Sequence, residues 1–130
     1  MNNRASSLRN SMKLIIAGTR DTDEHTAYQN ILKGLRKLKV KPENLDCIIT
    51  GGSGNVDAAG TAFAVAQQVD LQIHFAKWKK YGKAAGPFRN CKMARLGTHL
   101  LAIWDGKSPG TRNMIDESKR RNLTIQIIKI

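Results

Sequence analysis

The chain has 130 residues, with 22 Lys and Arg against 10 Asp and Glu and a formal net charge of +12. This length suits one domain with its own core, and two cysteines exclude a disulfide framework, so the composition indicates a reduced, cytoplasmic protein. Every apolar run is shorter than the roughly 20 residues that cross a bilayer, so we expect no membrane segment. The excess of positive charge predicts an anionic partner.

The first predicted elements are an arm, a strand and a helix. We expect the polar residues 1–12 to form a disordered or extended arm, and residues 13–130 to form a single domain. The continuous apolar run at residues 13–18 predicts a strand buried on both faces. Apolar residues spaced by three and four between about residues 23 and 39 predict a helix, which Pro42 ends.

The rest of the chain alternates strands with helices. Further strands are predicted at residues 45–50, 71–76, 98–105 and 123–130. Further helices are predicted at about residues 58–69, 88–96 and 111–121. This alternation is typical of right-handed βαβ units, so we expect an α/β fold, a three-layer Rossmann-like sandwich with a five-stranded, mainly parallel sheet.

Three strand-to-helix turns carry the first candidate ligand-binding residues. Glycine lets a phosphate approach main-chain N–H groups, and the helix that follows adds a favourable partial charge. Neither glycine-rich turn has a Walker or GxGxxG pattern, so a tight turn with a helix cap is the alternative for each. The candidates in these turns are Gly18, Thr19, Arg20, Gly51, Gly52, Ser53, Gly54, Asp105, Gly106, Ser108, Gly110 and Thr111.

Charged side chains near the turns add two kinds of contact. Arg20 and Arg89 are predicted to clamp a phosphate, and for Arg20 a surface ion pair with Asp21 or Asp23 is the alternative. Asp57 is predicted to accept ribose hydroxyls, and its alternative role is to favour the dipole of its own helix.

An aromatic residue and a basic stretch complete the candidates. The stretch between Asp70 and Asp105 has no acidic residue, and it contains Trp78, which stacks on a base in one interpretation and packs in the core in the other. His74 and His99 are assigned to separate strands, so we expect neither a metal site nor a cofactor.

Four stretches of the chain resemble a known family in order and spacing. They are "GTRD", "ITGGSGNVDAAG", "AKWKKYGKAAGPFRNCKM" and "LLAIWDGKSPGTRNMI". Together they resemble the YspA-like branch of the SLOG superfamily, which also contains phosphoribohydrolases and a single-strand-binding DNA-processing protein. The resemblance runs from Lys13 nearly to the last residue. It implies a Rossmann-like domain that binds nucleotides of ADP-ribose or NAD-like character, often as a homodimer or higher homo-oligomer.

The resemblance also implies roles for individual residues. It implies that the glycines of "GGSG" form the first motif, that Gly106 to Thr111 form the phosphate-binding second motif, and that Asn90 belongs to the element "W-x-x-Y-G-x-A-A-G-P-x-R-N". Arg89 and Met93 match the "R-x-x-x-M" element of the hydrolases. Met114 stands where the phosphoribohydrolases carry a glutamate, and this departure puts hydrolysis in question.

Three functions are therefore open. The first is a sensor or sequestering module for a nucleotide-derived small molecule. The second is an N-glycosidase acting on nucleoside phosphates, with Arg89 and Asp57 as the candidate catalytic residues. The third is single-stranded nucleic-acid binding, which ranks last because few aromatic residues accompany the lysines.

Overall fold

The computed structural model describes residues 11–130, which form five strands, five α-helices and two short 3₁₀ helices, Pro42–Asn44 and Gly82–Ala84. The strands are β1 (Met12–Gly18), β2 (Leu45–Thr50), β3 (Asp70–Ile73), β4 (His99–Trp104) and β5 (Thr124–Lys129). The helices are α1 (Glu24–Leu38), α2 (Gly54–Gln67), the single turn α3 (Trp78–Tyr81), α4 (Ala85–Leu96) and α5 (Pro109–Arg120). The predicted arm lies outside the described residues except for Ser11 and Met12, and Met12 already belongs to β1.

The five strands form one sheet in the order β3-β2-β1-β4-β5. All four pairings are parallel, so the expected α/β sandwich is confirmed and its sheet is parallel throughout. The central strand β1 lies between β2 and β4, which explains why its sequence is apolar without alternation: both of its faces are covered.

Two separate cores cover the two faces of the sheet. On one face Ile16 and Ile48 pack with apolar residues of α1 and α2, such as Ile31 and Phe63. On the other face Ile15 packs with apolar residues of α4 and α5, among them Met93 and Met114. The sheet and the helices on its two faces make the three layers of the sandwich.

The helix boundaries follow from local chemistry. α1 begins after Asp23, whose carboxylate accepts the main-chain N–H of Thr26 at 2.7 Å. It ends at Leu38 and is capped by Lys39, which has the left-handed conformation. Three predicted boundaries were wrong by three residues or more. α2 begins at Gly54 rather than near residue 58. α4 begins at Ala85 rather than near Phe88, and β3 ends at Ile73 rather than at residue 76. His74 therefore follows its strand instead of lying within it.

Candidate functional site

A pocket opens where the strand order of the sheet reverses, between β1 and β4. Ligands of open α/β sheets bind at this point, outside the carboxyl ends of the strands. The pocket has a volume of about 730 Å³, within the range of small-molecule sites. We call it the switch-point pocket, and Gly18, Gly51 and Gly110 mark the three turns that reach it.

The pocket brings together most of the residues that the sequence singled out. Those that line it are Gly18, Arg20, Gly51, Ser53, Asp57, Trp78, Arg89, Asn90, Ser108, Gly110 and Thr111. Five other candidates do not line it: Thr19, Gly52, Gly54, Asp105 and Gly106.

In the first glycine turn, the protein's own side chains use groups that were expected to face a phosphate. A carboxylate oxygen of Asp57 accepts the main-chain N–H of Ser53 at 2.9 Å. The Arg89 guanidinium donates to the carbonyl oxygen of Gly51 at 2.7 Å and to that of His74 at 3.2 Å. Gly52 faces the other way, since a Cβ on it would lie 2.5 Å from the Phe75 ring. This turn is thus closed over by Asp57 and Arg89.

Asp57 is an unusual carboxyl group because it is only 7% exposed. Its burial raises its pKa to about 6, against the opposing effects of the Ser53 N–H and of the Arg89 charge. A carboxyl group with this pKa is present in both protonation states near neutral pH. It lines the pocket, so it is available either to accept hydroxyl groups or to exchange a proton.

The second glycine turn is held by Asp105. Its carboxylate accepts the main-chain N–H groups of Ser108 and Lys107, each at 2.8 Å, and these bonds lower its pKa to about 2. The main-chain N–H of Asp105 in turn donates to the hydroxyl of Thr19 at 3.0 Å. Thr19 is 2% exposed, so this buried bond connects the residue after β1 to the residue after β4.

The start of α5 supplies open donors. Pro109 occupies the first position of the helix, and the main-chain N–H groups of Gly110 and Thr111 have no partner within residues 11–130. The Thr111 side chain is 4% exposed, and within the same residues its hydroxyl makes no hydrogen bond. Both residues line the pocket. A helix start with free N–H groups and a nearby hydroxyl is suited to an anion.

Positive charge surrounds this opening. Arg20 lies at the rim with its side chain exposed, and the alternative, an ion pair with Asp21 or Asp23, is not found among residues 11–130. Within the described part of the chain, the ion pair that does form is between Arg120 and Glu117. Arg20 therefore keeps its charge available to a ligand, and Lys83 lines the same cavity.

The floor of the pocket is apolar. Ala17 of β1, Met93 of α4 and Met114 of α5 are buried in the core between the sheet and these helices, and they also line the cavity. Trp78 is 49% exposed, and its ring covers Gly86, where an added Cβ would lie 3.2 Å from it. Trp78 is thus a wall of the pocket rather than a core residue.

Sequence reasoning missed several lining residues. They are Ala17, Asp21, Lys83, Gly86, Pro87, Met93 as a lining residue, Pro109, Asn113 and Met114. Pro87 and Lys83 belong to the stretch "AKWKKYGKAAGPFRNCKM", in which neither residue has a spacing that marks a binding role. Asn113 gave no signal, because an asparagine in the second turn of a helix belongs to no pattern that the sequence displays.

Two further properties concern metals and membranes. Within residues 11–130, His, Cys, Asp and Glu side chains do not gather in groups of three that could hold a metal ion. The same residues include no helix with both the length and the apolar character required to cross a bilayer.

The fold and this pocket define a parallel α/β protein with a candidate small-molecule site at the switch point of its sheet. Over 118 residues the sequence is 30% identical to the Gene 61 protein of Mycobacterium phage D29, and the alignment covers 87% of this chain and 93% of the phage protein. The chain therefore belongs to the family of that phage protein. No family model matches it.

Proposed function

We propose that the chain binds a phosphorylated nucleoside in the switch-point pocket, as a sensor or sequestering module. The observation that carries the proposal is the start of α5, where the N–H groups of Gly110 and Thr111 and the Thr111 hydroxyl face a cavity without a partner within residues 11–130. Arg20 at the rim adds a charge that is not neutralised by an ion pair within those residues. Phosphate needs both kinds of contact.

The remaining surface of the pocket suits the rest of a nucleotide. Ala17, Met93 and the Trp78 ring offer apolar and aromatic contacts to a base, and Asp57 offers oxygens to ribose hydroxyls. A volume of about 730 Å³ accommodates a molecule of the size of ADP-ribose. The resemblance to the YspA-like branch of the SLOG superfamily supports the same class of ligand.

The contacts of Asp57 and Asp105 support one position for the proposed phosphate. Both carboxylates accept main-chain N–H groups of the glycine turns, so those groups are occupied and a second anion near them is disfavoured. The phosphate end of the ligand is then expected at Gly110 and Thr111, with the ribose towards Asp57.

The test begins with the purified protein. Mass spectrometry of small molecules released on denaturation identifies a co-purified ligand, and calorimetric titration with AMP, ADP, NAD and ADP-ribose measures affinity directly. Binding of at least one of these in the micromolar range is expected. If none of them binds and nothing is released, the proposal is wrong.

A second candidate function is hydrolysis of the N-glycosidic bond, and Asp57 favours it. Its pKa of about 6 allows the carboxyl group to act as a general acid or base in a buried site. Met114 opposes it, since the phosphoribohydrolases carry glutamate at that position. Release of free base from a nucleotide panel by the wild type, and its loss in Asp57→Asn, would establish catalysis.

A third candidate, single-stranded nucleic acid, is favoured by the segment around α3. Exposed aromatic and basic side chains alternate there: Phe75, Lys77, Trp78, Lys79, Lys80, Tyr81, Lys83 and Phe88. Aromatic rings stack on bases, and lysines neutralise phosphates. A labelled oligonucleotide should then bind with an affinity that falls steeply with salt, and no binding at low salt would exclude this function.

Two general expectations belong to the main proposal. The resemblance implies a homodimer or a higher homo-oligomer, and the cysteines at positions 47 and 91, both free in the structure, agree with a reducing, cytoplasmic setting. Light scattering after size exclusion measures the oligomeric state. A monomer at micromolar concentration would remove that expectation without affecting the pocket.

A further inference from the structure

Two adjacent residues at the start of α4 connect the turn after β2 to helix α5. Arg89 bonds the Gly51 carbonyl oxygen, and its Nε donates to Asn90 Oδ1 at 2.9 Å. Asn90 Nδ2 donates to Asn113 Oδ1 at 2.9 Å and to the Gly110 carbonyl oxygen at 3.2 Å. Asn90 is 5% exposed, so these bonds are shielded from water.

The chemistry of these groups fixes the orientation of both amides. A guanidinium can only donate, so Asn90 must turn its oxygen towards Arg89 and its nitrogen towards α5. That nitrogen can only donate, so Asn113 must turn its own oxygen towards Asn90. The Nδ2 of Asn113 is then directed away from Asn90, and within residues 11–130 it has no partner.

Asn113 also lies where such a donor can reach a ligand. It lines the switch-point pocket, one turn along α5 from Gly110, and residues three apart share a side of a helix. The open main-chain N–H of Gly110 and the open Nδ2 of Asn113 thus belong to the same part of the cavity.

We propose that Asn113 is a specificity-determining residue whose Nδ2 donates to an acceptor oxygen of the bound anion, next to the N–H groups at the start of α5. Arg89 and Asn90 are positioning residues that keep this nitrogen facing the pocket. The site therefore selects phosphate or diphosphate oxygens over groups that donate hydrogen bonds. The inference rests on the proposed function, because it assigns a contact to the same ligand.

The test uses ADP and inorganic pyrophosphate as probes in calorimetric titrations at low salt. Asn113→Asp keeps the oxygen that Asn90 needs and replaces the donor with an anionic acceptor, so the affinity for both probes should fall by at least about tenfold. Asn113→Ala removes the donor without adding charge, and the loss should be about threefold or more. Circular dichroism and thermal melting verify that both variants fold.

The matched control is Asn122→Asp. It adds the same charge just beyond the C-terminus of α5, roughly 13 Å along the helix axis from Asn113, at a position with φ 61° that aspartate tolerates. The affinity of Asn122→Asp for both probes should stay within about twofold of that of the wild type. If Asn113→Ala binds both probes as tightly as the wild type, the donor role is wrong while the proposed function stands. If the wild type binds neither probe, both the inference and the proposed function are wrong.

Asn90→Asp tests the positioning role with a readout that folding alone does not move. An aspartate there cannot donate, so the Asn113 amide should turn over and present its oxygen to the pocket. In the wild type, the Asn113 side-chain NH₂ signal should shift on titration with pyrophosphate. In folded Asn90→Asp that shift should disappear, and its persistence would show that Asn90 does not set the orientation of Asn113.

Discussion

The carboxylate of Asp57 accepts the main-chain N–H of Ser53 at 2.9 Å, so the first glycine turn is closed by a side chain of the helix that follows it. A turn of this composition is suited to phosphate when its N–H groups are free. Here one of these groups, the Ser53 N–H, already donates to Asp57. The second glycine turn uses Asp105 in the same way, whereas at the start of α5 the N–H groups of Gly110 and Thr111 keep no partner within residues 11–130.

The buried carboxyl group predicts a pH-dependent stability. The pKa of Asp57 is raised in the folded state, so the unfolded state releases its proton first as the pH rises. The contribution of Asp57 to the free energy of unfolding should therefore decline between about pH 4 and pH 6 and stay constant above that. Relative to the wild type, Asp57→Asn should gain up to about 3 kcal/mol over this range, measured by urea unfolding at each pH. A difference between the two proteins that does not change with pH would contradict the raised pKa.

Gly110→Ala separates binding from folding. A Cβ at this position would have no heavy atom within 4 Å, and alanine favours helices, so thermal unfolding should be unchanged or slightly higher in temperature. The added methyl group stands beside the open N–H groups, so nucleotide affinity should fall by about tenfold in the same calorimetric titration. Unchanged affinity would show that a ligand does not approach this part of the helix.

Gly18→Ala should have the opposite effect on folding. A Cβ there would lie 2.5 Å from the Ile103 carbonyl oxygen and 2.8 Å from a methyl group of Val56, both fixed by the sheet and α2. Overpacking of this kind costs about 1–3 kcal/mol, to be measured by chemical denaturation. Gly110→Ala is the control, and equal stability of the two variants would contradict the close packing of β1 against its neighbours.

Arg20→Gln tests the charge at the rim of the pocket. The guanidinium is exposed and makes no ion pair within residues 11–130, so its loss should leave thermal stability unchanged and weaken nucleotide binding by about tenfold at low salt. The effect should shrink as salt is added. Arg95→Gln, in the last turn of α4, is the control for net charge. An equal loss of affinity in both variants would indicate a general field rather than a contact.

The sequence predicted the fold well because its pattern and its packing agree. β1 and β4 are continuous apolar runs since both faces of the sheet are covered, and α1 has regular spacing since it covers one face. β3 is shorter than predicted because it lies at the edge of the sheet, where its residues are mostly exposed and apolar character does not mark its end.

The candidate site was only partly predictable, because contacts between residues that are distant in the sequence decide which groups face the pocket. The glycine turns were visible in the sequence, but the sequence does not show which N–H groups donate to a side chain of the protein itself, as the Ser53 N–H does to Asp57. Asn113 depends on a chain of bonds from Arg89 through Asn90, and these residues are brought together only by the packing of α4 on α5. The spacing of these residues in the sequence does not indicate that packing.

The strand order of the sheet has a consequence for how the molecule assembles. Lys13, at the start of the central strand, bonds Thr98, which lies 85 positions further along the chain. Such distant partners must find each other before the middle of the sheet is complete, and the search slows refolding relative to helical proteins of similar size. Until β4 pairs with β1, one edge of β1 has unpaired main-chain N–H and C=O groups that can bond other chains. The yield of refolded protein after denaturation should therefore be highest in dilute solution.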